Sequence, residues 1–412
     1  MRIGLVTACF EPVVNGVARM VSLYRDHLEQ AGHQVTVFTL GQRSHFDMDE
    51  GIIHSPALPV GKTGYHFAIR YSKMAQQQLQ KMEILHCHHL LMGLEMAHRY
   101  SRCPIVFTNH TRYDIYLSAY SPLSRPAGDF IMRRLWPSVT DYADAVIAPS
   151  ESLRKLLKQM GVRQPVELIR NGIELSAFHT YPSVKKACKP DSSHQSIRII
   201  YVGRLSAEKN VLALLEEFAA ALRVNRRLHL TLVGDGPQRS QLEQRARVLG
   251  ARAHIDFKGA VNYSDVPKLL SDADIFATRS LSEVHPLTII EAMAAGLPIV
   301  ATHSPGIDDI VEDGLTGLLS PDLEGELAQK LVMLSSDQER LSQMAFSAFE
   351  ASKQYSIENT VTQTLALYER LLDERPDVER RRRPWHYRAW SRLSSWQQNL
   401  PPLPRSIITR GD

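Results

Sequence analysis

The chain has 412 residues, which is enough for two globular domains of ordinary size. Hydrophobic residues make up 44% of it, and Gly and Pro, at 22 each, stand at ordinary levels, which excludes collagen-like and low-complexity chains. The formal net charge of +4 is concentrated in residues 376–412, which hold eight Arg and three acidic residues, so the rest of the chain sums to −1.

The lack of a recognisable targeting signal and the spacing of the cysteines indicate the cellular compartment. No run reaches the roughly 18 apolar residues of a membrane span, and the first residues lack a signal-peptide cleavage pattern. The cysteines also lack the paired spacing of a zinc site or a disulfide framework. There are four of them: Cys9, Cys87, Cys103 and Cys188. We therefore expect a cytoplasmic protein, with peripheral association with the cytoplasmic face of a membrane as the alternative.

Strands and helices alternate from the first residues onward. Residues 2–7 form a continuous apolar run, as expected for a parallel strand buried on both faces. Apolar residues from Val17 to Leu28 then recur at helical spacing, Gly32 ends this helix, and residues 34–40 are the next predicted strand. Further strands are predicted at 83–88, 104–109, 145–148 and 166–169.

The alternation stops and then restarts. Residues 182–196 are polar and turn-rich, as a linker should be. Beyond them, strands are predicted at 197–202, 228–233, 254–259, 273–278 and 297–302. Two successive strand–helix series predict two doubly wound α/β domains. The predicted organisation is a first domain at 1–181, a linker at 182–196, a second domain at 197–355, a C-terminal helix at 356–375 and a basic, Trp-rich tail at 376–412.

Two glutamates, Glu283 and Glu291, lie eight residues apart beside an apolar helix that we predict to open at Pro286. Eight residues slightly exceed two helical turns, so we expect Glu291 on the same side of the helix as the segment that follows Glu283. A carboxylate can accept hydrogen bonds from two adjacent sugar hydroxyls, and the free amides at a helix start favour a phosphate. The pattern therefore indicates a sugar-phosphate site.

This segment, EVHPLTIIE followed by AMAAGLPIVAT, resembles the Glu–x7–Glu motif of the large family of retaining two-domain glycosyltransferases (family 4, group 1). Other stretches agree with the family in order and spacing: FEPVVNGVARM, NHT at 109–111, APSES, IRNGIE, YVGRLSAEKN and LVGDGP. The resemblance covers about residues 1–370, and some members of the family glycosylate lipids. It implies the GT-B fold, in which two Rossmann-like domains face each other across a cleft, the first for the acceptor and the second for the donor.

The resemblance implies roles at the matching positions. Glu291 would hold the ribose of the donor nucleotide, and Glu283 would contact hydroxyls of the transferred sugar. Arg204 and Lys209 would neutralise the diphosphate. Both follow a strand end, where a doubly wound sheet binds its ligand, and a solvated loop with a chance basic pair is the alternative. Further donor contacts are implied within the same motifs, at Gly234, Gly259, Val284, His285, Leu287 and Thr288.

In the first domain, Gly16 matches the loop glycine that lets the backbone approach the donor phosphate, and His110 matches a catalytic histidine near the reacting sugar. A plain turn glycine and a structural histidine are the alternatives. The chain departs from the family at His285–Pro286, where an aromatic residue and Gly are frequent. Pro286 has no amide to donate, so we expect altered contacts to the donor sugar and retained contacts to phosphate.

The run His86–His89 invites a metal hypothesis. Strand alternation puts Cys87 on the face opposite its histidine neighbours, and such ligands cannot close one tetrahedral site. We therefore expect no metal site and no requirement for a divalent metal, with His88 at a strand end beside the acceptor cleft. Asp47–Asp49 lies in a polar loop and is expected to be solvated.

The resemblance implies transfer of a hexose with retention, from a nucleotide-diphosphate sugar of the UDP-glucose or GDP-mannose type to a hydroxyl acceptor. Residues 113–136 mix aromatic residues with Arg, and the tail interleaves Arg with Trp385, Trp390 and Trp396. These segments favour a membrane glycerolipid or lipid-linked glycan as acceptor and an anionic membrane surface as partner. A solvated tail is the alternative for this segment, and no nucleic-acid-binding module accompanies it.

Two other functions would share the nucleotide site. One is a GT-B sugar-nucleotide epimerase, which would need acid and base groups in place of an acceptor cleft. The other is a non-catalytic protein that binds a sugar nucleotide. Release of the sugar with and without an acceptor separates the three functions.

Overall fold

The computed structural model describes residues 1–11, 15–41, 51–59, 66–68, 70–113, 133, 135–179 and 196–374. Several sequence predictions fall outside the described residues, wholly or almost wholly. These are the linker at 182–196, the tail at 376–412, Asp47–Asp49, Cys188 and the segment 113–136.

Parallel strands form the sheet of the first domain. Its strands are β1 (Arg2–Val6), β2 (Gln34–Leu40), β3 (Ile52–Ser55), then, past the short pair β4 (Leu58–Pro59) and β5 (His66–Phe67), β6 (Ile84–Cys87), β7 (Ile105–Thr108), β8 (Ala145–Ala148) and β9 (Val166–Leu168). They pair in the order β3-β2-β1-β6-β7-β8-β9. The helices are α1 (Gly16–Gln30), α2 (Lys73–Leu79), α3 (Glu95–Tyr100), α4 (Glu151–Gln159) and α5 (Ser176–His179).

The second domain repeats the arrangement. Its strands are β10 (Ile197–Val202), β11 (Leu228–Val233), β12 (Ile255–Gly259), β13 (Ile275–Thr278), β14 (Ile299–Thr302) and β15 (Gly317–Ser320). All of them pair in parallel, in the order β12-β11-β10-β13-β14-β15. The helices are α6 (Val211–Val224), α7 (Arg239–Val248), α8 (Val266–Ser271), α9 (Leu287–Ala294), α10 (Pro305–Asp308), α11 (Glu326–Ser336) and α12 (Gln338–Ser352).

In both sheets the order reverses beside the first strand, at β1 and at β10, because consecutive strands are added first on one side and then on the other. This is the doubly wound pattern, and it opens a crevice at the carboxyl ends of the strands. The fold class predicted from the sequence is confirmed: two Rossmann-like α/β domains followed by a C-terminal helix.

The chain crosses between the domains where Ile173 pairs with Ser356. The approach needs Gly172, since a Cβ on that residue would lie 2.4 Å from the carbonyl oxygen of Ser356. Beyond the crossing, α13 (Ile357–Glu374) packs on the first domain. Tyr24 and Thr364 share a hydrogen bond of 3.2 Å. Within the part of the chain that the structure describes, no helix has the length and apolar character needed to cross a membrane.

Candidate functional site

A cavity of about 620 Å³ lies where the carboxyl ends of the two sheets face each other. Its walls come from the segments after β1, β6, β7 and β9 of the first domain and after β10, β11, β12 and β13 of the second. From the first domain it is lined by Asn15, Gly16, Val17, Arg19, His89, His110, Thr111, Arg112, Tyr113 and Asn171. The second domain contributes the predicted residues Arg204, Lys209, Gly234, Glu283, Val284, His285, Leu287, Thr288 and Glu291.

Gly259 is the one predicted donor-site residue that is absent from this lining, because the next residues, Ala260 and Val261, face the cavity instead. Gly259 adopts a φ of +75°, and a Cβ there would lie 2.9 Å from Nη1 of Arg239. Gly259 thus serves the turn after β12, which brings Ala260 to the cavity wall.

A cation and a carboxylate meet on the second-domain wall. Lys209 ends the turn that follows β10, and Glu283 lies in the loop after β13. The Lys209 Nζ donates to Glu283 Oε1 over 2.7 Å, with side chains 24% and 15% exposed. The carbonyl of Glu208 accepts a hydrogen bond from the hydroxyl of Ser282, which ties the two loops together.

Glu291 lies on α9 and is only 3% exposed. The hydroxyl of Tyr263 donates to Glu291 Oε1 over 2.8 Å. Burial raises the pKa of Glu291 from 4.5 to about 7, against opposing effects of this hydrogen bond and of Arg19. The guanidinium of Arg19, from α1 of the first domain, lies 4.0 Å from the centre of the Tyr263 ring. A cation–π contact therefore joins the two domains beside the carboxylate.

The start of α9 differs from the sequence prediction. Pro286 does not open the helix; it occupies the flanking position with an extended ψ of 118°, and the helix begins at Leu287. Glu283 therefore precedes the helix, and both glutamates reach the same cavity from different local structures. The first amides of α9 have no partner within the helix, so the helix start can receive an anionic phosphate.

His285 turns its ring towards the crossing between the domains. The ring meets Tyr355 edge-on at a centroid distance of 5.5 Å, and the His285 carbonyl accepts a hydrogen bond of 3.1 Å from Asn171. Burial lowers the pKa of His285 to about 3, so the ring is neutral. His285, at which the chain departs from the family pattern, thus contacts Tyr355 and Asn171, two residues close to the crossing between the domains.

Histidines of the first domain line the other side of the cavity. His110 lines it, as predicted, and so does His89, for which the sequence predicted no role in the cleft. His88 is not in the lining: it is buried behind His110, and its Nδ1 lies 3.0 Å from His110 Nε2. The prediction that His88 borders the cleft is wrong because the rings of Tyr24, His86 and His110 enclose its ring.

Two further glycines that were predicted at the donor site, Gly16 and Gly234, are suited to their positions for different physical reasons. A Cβ on Gly16 would meet no atom within 4 Å, so it would project into space that a ligand could fill. Gly234 has a φ of +130°, and a Cβ there would lie 2.0 Å from the Gly203 carbonyl oxygen, so this position requires glycine for backbone packing.

Some residues at the cavity could not be predicted from the sequence, because the residues next to them in the chain do not indicate a role in the site. Tyr263 stands in an ordinary turn, NYSDVP, and nothing there marks it as a partner of Glu291. Arg19 lies inside the NGVARM stretch, which marks the segment but not the cross-domain contact. Trp136, the last residue of the segment 113–136 that the sequence favours for a lipid acceptor, is buried, and its ring lies 5.3 Å from that of Tyr113.

The histidine run of β6 does not gather metal ligands. The His86 and His88 rings lie together, with centroids 4.2 Å apart, whereas Cys87 belongs to an apolar cluster on the other face. Over the described ranges, no group of three or more His, Cys, Asp or Glu side chains is placed to hold a metal ion.

Comparison with known proteins gives matches over both domains. The family described as Glycosyltransferase Family 4 matches residues 14–177, and Glycosyl transferases group 1 matches residues 186–350. The alpha-monoglucosyldiacylglycerol synthase of Streptococcus pneumoniae is 30% identical over 351 residues, which are 81% of this chain and 78% of that protein. The protein of the same name from Acholeplasma laidlawii is 26% identical over 392 residues, or 91% of this chain and 98% of that protein.

Among solved structures, HepE of Anabaena in complex with UDP and glucose has a TM-score of 0.71 at 20% identity. The match covers 90% of this chain and 100% of that one, so it extends over both domains and supports the GT-B fold. The two family matches lie on either side of the cleft, and the pneumococcal relative spans both. The chain therefore belongs to the family 4, group 1 glycosyltransferases and is a retaining hexosyltransferase of the GT-B fold.

Proposed function

We propose that this enzyme transfers glucose from a UDP-glucose-type donor to the free hydroxyl of a diacylglycerol or a closely related glycerolipid. The carrying observation is that one cavity between the domains brings together Arg204, Lys209, Glu283 and Glu291. Two relatives that match most of the chain are named for the synthesis of alpha-monoglucosyldiacylglycerol, which supports this choice of sugar and acceptor.

The donor diphosphate would bind between the cations and the start of α9. Arg204 and Lys209 would neutralise it, and the loop at Gly16 would approach it from the first domain. Glu283 would accept hydrogen bonds from the sugar hydroxyls. Because Lys209 already contacts Glu283, the diphosphate and the sugar would be held by one connected pair of side chains.

Glu291 would bind the ribose. Its carboxyl group is buried at the cavity wall and keeps one hydrogen bond, from Tyr263. Two adjacent ribose hydroxyls could donate to the remaining acceptor positions of the carboxylate. Ala260 and Val261 line the cavity close to this site, and we assign the nucleobase to their backbone atoms. Val284, His285, Leu287 and Thr288 complete the proposed donor site.

Catalysis would be largely electrostatic. The bond between the sugar and the phosphate loosens, and Arg204 and Lys209 stabilise the charge that develops on the leaving diphosphate. The leaving phosphate assists removal of the proton from the acceptor hydroxyl on the same face, which retains the configuration. His110 would donate a hydrogen bond to the reacting substrate from the first domain. No residue in this scheme requires a divalent metal.

The acceptor would reach the cavity from the first domain, which we propose as residues 1–181, while the donor domain spans 197–355. If the acceptor is a lipid, the enzyme must bind it at a membrane surface. We therefore propose peripheral binding to an anionic membrane, with the basic, Trp-rich segment 376–412 contributing.

A donor–acceptor screen tests the proposal. Purified enzyme would receive UDP-glucose, UDP-galactose or GDP-mannose, each with vesicles that contain diacylglycerol, monoglucosyldiacylglycerol or neither. We expect a glucosylated lipid with an α-linkage from UDP-glucose and diacylglycerol, and slow sugar release without acceptor. Transfer only to a water-soluble hydroxyl acceptor would contradict the lipid assignment, and transfer only from GDP-mannose would contradict the donor.

A further inference from the structure

A hydrogen bond between two imidazole rings lies behind the first-domain wall of the cavity. His88 Nδ1 and His110 Nε2 are 3.0 Å apart. The ring centroids are 5.2 Å apart and the ring planes differ by only 15°. The nitrogens are thus much closer than the ring centres, so the rings lie edge to edge and the bond runs along their common plane, the favourable direction for a ring N–H.

The surrounding elements hold the His88 ring in place. Its backbone amide donates to the carbonyl of Val6 over 2.9 Å, and its ring lies 4.2 Å from that of His86. His86 is fixed in turn by contacts of 2.6 Å to Tyr368 on α13 and to Thr108 on β7. His88 can therefore set the orientation of His110 without movement of its own.

Burial keeps both rings neutral. It lowers the pKa of His110 to about 3 and the pKa of His88 well below its ordinary value, with neighbouring histidines acting in the same direction. Each ring then carries one proton, and the bond between them contains one of the two. Two arrangements remain: either His88 donates from Nδ1, or His110 donates from Nε2.

The second nitrogen of His88 distinguishes the arrangements. His88 Nε2 is buried and has no hydrogen-bond partner among the described residues. A proton there would be an orphaned buried donor, which is rarer and costlier than an unfilled acceptor. The proton of His88 is therefore on Nδ1, His110 accepts at Nε2, and His110 carries its own proton on Nδ1.

We propose that His88 is a positioning residue, which holds His110 as the Nδ1–H tautomer so that His110 presents a hydrogen-bond donor to an oxygen of the bound sugar phosphate. This inference rests on the proposed function for the role of the donated hydrogen bond, although the tautomer itself does not depend on it. His110 lines the cavity beside Thr111, and Nδ1 is its one remaining polar ring atom. His88 makes no contact with substrate and acts through His110 alone.

The tautomer can be measured in ligand-free, full-length enzyme. Nitrogen-15 NMR of histidine-labelled protein distinguishes a protonated ring nitrogen from a bare one, and the His110 resonances are assigned by their loss in His110→Ala. We expect a protonated Nδ1 and a bare Nε2 on His110 between pH 6 and 8. A protonated Nε2 on His110 would overturn the assignment, whatever the substrate of the enzyme is.

The kinetic test uses two substitutions of the same side chain. His88→Leu removes the N–H group that donates to His110, whereas His88→Asn keeps an N–H close to the position of Nδ1. We expect His88→Leu to lower kcat roughly tenfold with little change in the donor KM, and His88→Asn to recover most of the loss. The matched control is His98→Leu, a half-buried histidine of the same domain whose ring packs on Tyr142, and it should leave kcat near the wild-type value.

A double-mutant cycle shows whether His88 acts through His110. In a His110→Ala background, His88→Leu should cause no further loss of kcat, because the ring that it positions is gone. Additive losses would overturn the proposal, and so would equal losses from His88→Leu and His88→Asn. Full activity of His110→Ala would reject the role of His110 in the proposed function while leaving the measured tautomer unaffected.

Discussion

Lys209 Nζ contacts Glu283 Oε1 at 2.7 Å, which pairs the cation proposed for the diphosphate with the carboxylate proposed for the sugar. The pair joins the loops after β10 and β13, and both side chains are largely shielded from solvent. In the proposed site a leaving diphosphate would gain negative charge next to Lys209, so the cation would contribute more to the transition state than to the bound donor.

The first prediction follows from this pair. Lys209→Met should lower kcat roughly 100-fold and raise the donor KM much less, because loss of one group that stabilises developing charge typically has an effect of that size. Steady-state kinetics with varied donor measures both constants. Lys353→Met is the control, since Lys353 forms an exposed pair with Glu350 and should leave both constants unchanged. A higher KM with normal kcat would restrict Lys209 to binding of the ground state.

The second prediction concerns Glu291 and the ribose. Glu291→Gln preserves the shape of the side chain but replaces one oxygen, which accepts hydrogen bonds, with an NH2 group, which can only donate them. The affinity for the sugar nucleotide should therefore fall. Hydrogen bonds to charged groups contribute about 1.5–3 kcal/mol, which corresponds to a roughly 10- to 150-fold higher Kd. Titration calorimetry with UDP measures this loss without any acceptor. Glu216→Gln, at the surface pair with Arg245, is the matched control, and an unchanged Kd for Glu291→Gln would remove Glu291 from the ribose site.

The buried carboxyl group of Glu291 also predicts a pH dependence of stability. Its folded-state pKa is raised from 4.5 to about 7, so the folded protein keeps a proton that the unfolded chain has already released in this range. The stabilising contribution is complete below about pH 4.5 and is lost as the pH rises through 7. The total is on the order of 3 kcal/mol.

Comparison of wild type with Glu291→Gln isolates this group. The difference between their unfolding midpoints should change from pH 5 to about pH 7, in favour of the variant at higher pH, and level off by pH 8, because the amide has no proton to lose. Scanning calorimetry across this range, in the absence of nucleotide, provides the measurement. A constant difference at every pH would mean that the Glu291 carboxyl titrates normally in the folded protein.

The sequence predicted the architecture well because the central strands are continuous apolar runs. β2, β8, β10 and β11 appear with the predicted bounds, and the other predicted strands differ at their ends by one or two residues. β15 was missed because its sequence, GLLS, has only two apolar side chains, Leu318 and Leu319, between a Gly and a Ser. Its burial comes from pairing with β14, a contact that local periodicity does not contain.

The cleft-lining residues were predictable where a motif marks them, as for Arg204, Lys209 and Glu283. Contacts between side chains that are distant in sequence were not. Tyr263 reaches Glu291 from 28 residues away, and Arg19 reaches Tyr263 from the other domain. The same holds for His88, whose partner His110 is 22 residues distant, in the loop that follows β7. Sequence spacing describes one element at a time, whereas these pairs depend on how elements pack.

The last prediction concerns the basic, Trp-rich segment 376–412. Its balance of +5, interleaved with Trp385, Trp390 and Trp396, suits the boundary between lipid and water, where Trp is enriched and each Arg near anionic lipid contributes about 1 kcal/mol. We expect reversible binding of the full-length protein to vesicles that contain phosphatidylglycerol, and much weaker binding to phosphatidylcholine alone. Truncation after Arg375 should remove most of this binding, as measured by vesicle sedimentation.

Salt and a second variant separate the two contributions to that binding. Sedimentation should fall at high salt, since the Debye length shrinks to about 3 Å at 1 M. Replacement of the three tryptophans by Ala should weaken binding but keep its salt dependence, because the arginines remain. Hydrolysis of the sugar nucleotide by the truncated protein should stay close to that of the full chain, as the proposed donor site lies within residues 16–291. Equal sedimentation of intact and truncated protein would reject the tail as a membrane anchor and leave the first domain as the surface that meets a lipid acceptor.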